Sequence, residues 1–149
     1  MNKNTIIVER NKLRAEIKDL VIQYESLKEK DGSLETIGPI KAERMFEILN
    51  SIAMRYAKDG FIEYAESWLL KAEPLTVKNP RQAIILHNNM ACIFKNQGSF
   101  DKALKHLEQS EAILKNIRSK LNYNKRFDRL LIDCWLNLSA IYSSKKMHL

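Results

Sequence analysis

The chain has 149 residues, 45% of them hydrophobic and 29% charged, the balance expected of a soluble globular protein with a real core. No apolar run approaches the ~20 residues of a membrane span, and Glu9, Arg10, Lys12 and Arg14 interrupt any signal-peptide core. Early acidic residues, Glu9 and Glu16, disfavour a mitochondrial presequence, and two distant cysteines, Cys92 and Cys134, without a Cys-x-x-Cys spacing point to reduced thiols in a cytoplasmic compartment.

The formal net charge of +7 is unevenly spread. Residues 1–38 carry seven basic and seven acidic side chains, whereas residues 99–149 carry ten and five. Lys115, Arg118, Lys120, Lys125, Arg126 and Arg129 gather in that last third. They form either a solvated face and loop or a landing site for an acidic partner surface.

In chain order, the first pattern is Ile6, Arg10, Leu13, Ile17, Leu20, Tyr24 and Leu27, at alternating steps of four and three. This heptad seam, broken only by Arg10, predicts a long helix over roughly 5–30. The seam packs either on the chain's own helices or on a partner, as in a coiled coil. Asp31-Gly32-Ser33 ends it, and residues 31–38 read as a loop. Pro39 suits the first turn of a second helix, whose stripe is Phe46, Leu49, Ile52, Ala53 and Tyr56. Asp59-Gly60 breaks that helix, and Ile62, Ala65, Trp68, Leu69 and Ala72 form the next stripe up to Pro74.

Asn79-Pro80 is a start signal, with Asn as cap and Pro just inside. Ile84, His87, Met90, Ala91 and Phe94 follow, until Gln97-Gly98 breaks the helix. Ser99 is placed to cap a fifth helix carrying Phe100, Ala103, Leu104, Leu107, Leu114 and Ile117. Residues 118–126 read as a connection, and Leu131, Trp135, Leu138 and Tyr142 form the last stripe. With only four Gly and three Pro, and no runs rich in Val, Ile and Thr, the chain reads as all-α.

These helices repeat by position. At an offset of 38, Ala53 faces Ala91, Tyr56 faces Phe94, Gly60 faces Gly98, Ile62 faces Phe100 and Ala65 faces Ala103. At an offset of 48, Trp135 matches His87, Asn137 matches Asn89, Leu138 matches Met90 and Tyr142 matches Phe94. A small residue within a helix lets two antiparallel helices approach closely, and an aromatic one turn later fills the gap beside it. One pair cannot bury its faces alone, so pairs stack.

The unit Asn89-Met90-Ala91-Cys92-Ile93-Phe94-Lys95-Asn96-Gln97-Gly98-Ser99-Phe100-Asp101-Lys102-Ala103-Leu104 resembles the tetratricopeptide repeat family. Residues 135–142 resemble the first helix of a further repeat, including the family's tryptophan. The resemblance covers roughly residues 45–144. The spacings exceed the family's usual repeat of about 34 residues, as in long-repeat variants. His87 stands in place of the signature tryptophan, and Ser110 in place of a usual alanine. The resemblance implies antiparallel helix-pair repeats forming a short right-handed α-solenoid. An N-terminal heptad-patterned helix and loop (1–38) precedes a repeat domain (39–149) with units at about 45–78, 83–120 and a partial 131–149.

It also implies a concave groove lined by the first helix of each pair. In this chain that groove presents Asn50, Ser51, Met54 and Lys58, then Ile85, Asn88, Asn89, Cys92, Lys95 and Asn96, then Asp133, Leu136, Asn137 and Ala140. Chaperone-binding members clamp a carboxylate with Lys and Arg. Here Asn50, Met54, Asp133 and Asn137 stand at those positions, and only Asn89 fits, so that role is disfavoured. Asn50, Asn89 and Asn137 are instead placed as an amide ladder for the backbone of an extended peptide, or as bonds between neighbouring helices.

No catalytic constellation is legible. His87, His106 and His148 lack zinc spacing, with His87 at a packing position and His106 on the exposed side of its helix. Four glycines build no phosphate loop, and neither cysteine has a base beside it. The chain is therefore read as a non-enzyme without metal or cofactor. The leading expectation is a protein- or peptide-binding scaffold. A structural subunit of a larger assembly, for example a cytoskeletal or ciliary one, is the alternative. Nucleic-acid binding through Lys120–Phe127, which mixes basic and aromatic residues, is a third reading. The last stripe lacks a covering second helix. Trp135, Leu138 and Tyr142 are accordingly expected to form a contact face of a cap, a fragment or an oligomer.

Overall fold

A computed structural model describes residues 2–29, 37–120 and 125–147. The described residues are all-α. They form α1 (Lys3–Glu29), α2 (Pro39–Lys58), α3 (Ile62–Ala72), α4 (Pro80–Gln97), α5 (Phe100–Arg118) and α6 (Arg126–Met147), with a short 3-10 turn at Glu73–Thr76. There is no strand among them, and no helix is long and apolar enough to cross a membrane. The expected stop at Asp31-Gly32-Ser33 lies outside the described residues. The chain divides into two compact units, Met1–Leu75 and Thr76–Leu149.

In the first unit, α2 packs on both α1 and α3. The heptad seam of α1 turns inward. Ile17 and Tyr24 are buried, and Ile6, Leu13, Leu20 and Leu27 are half-buried, while Arg10 is exposed. Tyr24 meets Trp68 of α3 edge-to-face, with ring centroids 6.2 Å apart. Arg55 of α2 pairs with Glu16 at 3.3 Å and also donates to the Ser51 carbonyl. Both charged groups are more than a third exposed, so the pair contributes little beyond orientation. Of the expected core stripe of α2, Phe46, Leu49, Ile52 and Ala53 are buried and Tyr56 is half-buried; Met45 and Ile48 join the core.

Gly60 ends α2 in the left-handed region, at φ +85°. Its N–H bonds the Ala57 carbonyl and the Phe61 N–H reaches back to the Tyr56 carbonyl, a Schellman closure. The ring of Phe61 then rests against that of Tyr56, the apolar contact that accompanies this cap. Gly98 repeats the device at φ +83°, with Gly98 N–H bonding Lys95 and Ser99 N–H bonding Phe94. The offset of 38 thus joins positions with the same backbone conformation. It also joins Ala53 to Ala91 and Ala65 to Ala103, all of them without exposed surface.

In the second unit, α4 packs on α5, and α6 packs on both. Asn79 caps α4 as expected, its Oδ1 accepting from the Gln82 N–H at 3.2 Å with Pro80 just inside. Ser99, by contrast, makes no side-chain cap bond to α5. Its N–H is already committed to the glycine closure of the preceding helix. Contacts between α4 and α5 run in opposite order along the two helices. Ile84 accepts from Ser110, His87 meets His106, and Phe94 lies beside His106 and Lys102. The two helices are therefore antiparallel. Contacts between α5 and α6 do the same, with the Leu107 carbonyl facing Cys134 and Asp101 facing Lys145.

One local expectation is corrected. His106 is half-buried rather than on the open side of α5. Its ring stacks on Phe94, and its Nδ1 lies 3.1 Å from that of His87, so one ring donates and the other accepts. The inward stripe of α6 is Leu130, Leu131, Cys134 and Ile141; of the expected series Leu131 is buried and Leu138 half-buried, while Trp135 and Tyr142 are exposed. The helix is turned so that its larger aromatics face outward.

The close approach of α4 and α5 sets a stability test. Ala103→Leu is expected to lower the unfolding free energy by about 1–3 kcal/mol in urea, because the added atoms must enter a fully buried position between packed helices. Gly98→Ala meets no atom within 4 Å but must hold a left-handed backbone, and is expected to cost ~1 kcal/mol. Ile7→Ala, on the exposed start of α1, is the control and should change stability by less than ~0.5 kcal/mol. The Asp101 carboxyl is held below its ordinary range, first by the hydrogen bond from Lys145 and then by that residue's charge. A depressed carboxylate contributes stability above its unfolded pKa and loses it as pH falls through the folded one. Thermal melts of wild type and Lys145→Ala should therefore differ slightly at neutral pH and converge in acid.

Candidate partner-binding site

The Asn79 cap and the Gly98 closure fix the two ends of α4. One side of the helix meets α5 through Ile84, His87 and Phe94. Residues 85, 88, 89 and 92 share another side, at the i, i+3, i+4, i+7 spacing of a single helical face. That side faces α6. Ile85, Asn88, Asn89 and Cys92 form one wall of a cleft of about 300 Å³. Leu130, Asp133, Leu136 and Asn137 of α6 form the other.

The walls differ in what they leave unmet. The Cys92 thiol donates a weak bond to Asn137 Oδ1 at 3.5 Å, which ties the two helices across the cleft. Burial raises the Cys92 pKa, opposed by the charge of Lys95 and the bond to Asn137. Asn88 is only 7% exposed, and its Oδ1 is buried with no hydrogen-bond partner. Buried acceptors of this kind are rare in folded proteins. The Asp133 carboxylate is nearly half exposed, and its nearest cation, Arg129, lies 3.9 Å away, beyond hydrogen-bond reach.

Seven of the expected groove residues are thus brought together: Ile85, Asn88, Asn89, Cys92, Asp133, Leu136 and Asn137. Leu130 is an addition, unforeseen because it precedes the residues matched by the repeat. Lys95 is half-buried and Asn96 exposed near the C-terminal end of α4; neither lines the cleft, nor does the half-buried Ala140. Asn50, Ser51 and Met54 are half-buried on α2, in the first unit. Lys58, also on α2, lines a separate cleft against Glu9, Arg10 and Leu13 of α1.

The C-terminal face emerges as an exposed apolar stripe. Trp135 is 50% and Tyr142 56% exposed, joined by Ile132 and Leu136, while Leu138 is half-buried. The basic cluster is partly neutralised in place. Lys115 pairs with Glu111 and Arg129 with Asp133, both across one helical turn. Arg118 is engaged, and Lys120 and Lys125 are exposed. The side chain of Arg126, residues 121–124 of the basic-aromatic stretch, and His148 lie outside the described residues.

One feature was not legible beforehand. Tyr56, Phe61 and Tyr64 stack and tilt against one another around the Gly60 turn, with Tyr56 and Tyr64 centroids 5.4 Å apart. They face Leu13, Ile17 and Val21 of α1 across a cleft of about 520 Å³. The available signal was the density of aromatics flanking a helix-ending glycine. Among the described residues, no group of three or more His, Cys, Asp or Glu is placed to hold a metal ion.

Both thiols are poised to be unreactive. Cys134 is fully buried, and burial together with Glu111 raises its pKa to about 11. In the folded protein at pH 8, iodoacetamide should leave Cys134 unmodified and label Cys92 more slowly than a free peptide thiol. Rapid labelling of both should appear in denaturant, read by intact mass.

No protein-family model matches the chain, and neither a curated protein nor a solved structure matches it.

Proposed function

We propose that the chain is a protein-binding module of tetratricopeptide type that holds an extended peptide segment in the cleft between α4 and α6. On this reading the helix pairs are repeats of a short α-solenoid, the chain works in the cytoplasm, and it catalyses no reaction. The observation that carries the proposal is the convergence of Asn88, Asn89 and Asn137 on one cleft whose walls also carry the apolar Ile85, Leu130 and Leu136. Amides donate and accept, which suits them to main-chain groups of a peptide, and the leucines and isoleucine take its side chains. The shared helix-ending geometry of Gly60 and Gly98, and the buried alanines in register with them, support the repeat reading.

A second reading, a subunit held in a larger assembly, is favoured by one specific observation. Ile132, Trp135, Leu136 and Tyr142 leave one side of α6 apolar and exposed, and surfaces of that composition commonly mark protein contacts.

Selection of peptides from a random displayed library on the immobilised protein tests the first reading. Enriched peptides should bind in solution, and Asn137→Ala should weaken them by about five- to tenfold, the effect of one net hydrogen bond of ~1 kcal/mol. Asn89→Ala should act similarly, with circular dichroism showing intact helices. No enrichment, or affinities indifferent to both substitutions, would remove the cleft as the binding site.

A further inference from the structure

We infer that the exposed face of α6 is a self-association surface, on which α6 of a second copy of this chain docks antiparallel; this rests on the second reading above only in taking that face as a protein contact. Six exposed residues carry it: Asp128, Ile132, Trp135, Ser139, Tyr142 and Lys146. Their spacing alternates four and three, which places them along one side of the helix as a heptad seam. None of them lines the α4–α6 cleft. The seam runs about 27 Å at the α-helical rise. Its three large apolar side chains, Ile132, Trp135 and Tyr142, are each at least half exposed.

The order of residues along the seam selects the occupant, because the seam is complementary to its own reverse about the height of Asn137. In an antiparallel pair of identical helices each seam residue lies opposite its mirror position, and a two-fold axis repeats every contact. Asp128 then faces Lys146 of the second copy, an acid against a base. Trp135 faces Ser139 of the second copy, the largest of the six side chains against the smallest, so the indole packs where the opposing helix is thinnest. Ile132 faces Tyr142 of the second copy, apolar against apolar. Leu136, exposed beside the seam and close to the axis, lies near its own copy.

A parallel pair has none of this complementarity. It sets Asp128 against Asp128 and Lys146 against Lys146, like charges at both ends, and crowds two indoles into one layer while two serines leave the next one thin. A partner of unrelated sequence needs only apolar cover; the chain itself supplies a base for the acid, an acid for the base and a small residue for the indole. Two chains of net charge +7 repel at long range, but at physiological ionic strength charges more than about 8 Å apart are largely screened, so contacts at the seam decide. A contact of one helix face is small, and the expected Kd is about 1–100 µM.

Sedimentation velocity of the full chain from about 2 to 500 µM tests the inference. The wild type should pass from monomer to dimer across that range, and Trp135→Glu should stay monomeric. Asp128→Lys should weaken association about tenfold and Lys146→Asp about as much, and the double exchange should return it to within about threefold of wild type. Neither a parallel pair nor a merely apolar contact gives that recovery. Ser139→Trp should weaken association although it enlarges the apolar surface, whereas an unspecific sticky face would associate more strongly. Circular dichroism checks that each variant keeps its helices. A double exchange without recovery, or association indifferent to Trp135→Glu, would overturn the antiparallel seam. Should the wild type stay monomeric throughout, acrylamide quenching in a Trp68→Phe background separates the two readings. Ready quenching of Trp135 would overturn self-docking and keep the face for a different protein; a shielded Trp135 would overturn the contact face as well.

Discussion

Everything in the second unit depends on how closely α4 and α5 approach each other. Ala91 and Ala103 have no exposed surface, and Ser110 is buried with its hydroxyl bonded back to the Ile84 carbonyl. Larger side chains at these points would push the helices apart. Between them, the His87, His106 and Phe94 rings fill the remaining space as a stack, bonded ring to ring at 3.1 Å. The hairpin is closed at Gly98, where only a residue without a Cβ adopts the left-handed backbone without strain. These constraints fix the rotation of α4 about its own axis, and that rotation decides which residues it presents to α6.

The cleft follows from this. With Ile84, His87, Ala91 and Phe94 committed to the α5 side or the core, the face at 85, 88, 89 and 92 is left for α6. That face is amide-rich, and α6 answers it with Asp133 and Asn137. Close packing and a polar cleft wall therefore share one helix. A substitution on the packing side is a question of stability, whereas one on the cleft side alters the polar groups that line the cleft. The Asn88 Oδ1, buried without a hydrogen-bond partner, is a cost to folding.

The first unit repeats the hairpin device and uses it differently. Gly60 reverses the chain as Gly98 does, but the flanking positions carry Tyr56, Phe61 and Tyr64 in place of Phe94, Ser99 and Lys102. An aromatic cluster forms where the second unit has a mixed histidine–phenylalanine stack. The long helix α1 lies along this hairpin through its heptad seam, so a pattern that resembles a coiled coil serves intramolecular packing over Ile17 and Tyr24.

Much of the local architecture was determined by the sequence alone. Helix ends are written in short-range chemistry: Asn79-Pro80 as a cap, Gly60 and Gly98 as left-handed stops, Pro39 at a first turn. Core stripes on α2 to α5 follow from a period of 3.6, which needs no tertiary information. The register of 38 residues was legible because packing demands small residues at matched heights. Three features were decided only by the tertiary structure. The rotation of α6 was one, because Leu131, Cys134, Trp135 and Tyr142 give two overlapping apolar stripes and only contact with α5 and α4 selects between them. The inward turn of His106 was another, since its partner lies 19 residues away on a different helix. The third was the chemistry of the cleft. Asn88, Asp133 and Asn137 are ordinary surface residue types in sequence, and it is the meeting of two helix faces that brings them into one cleft.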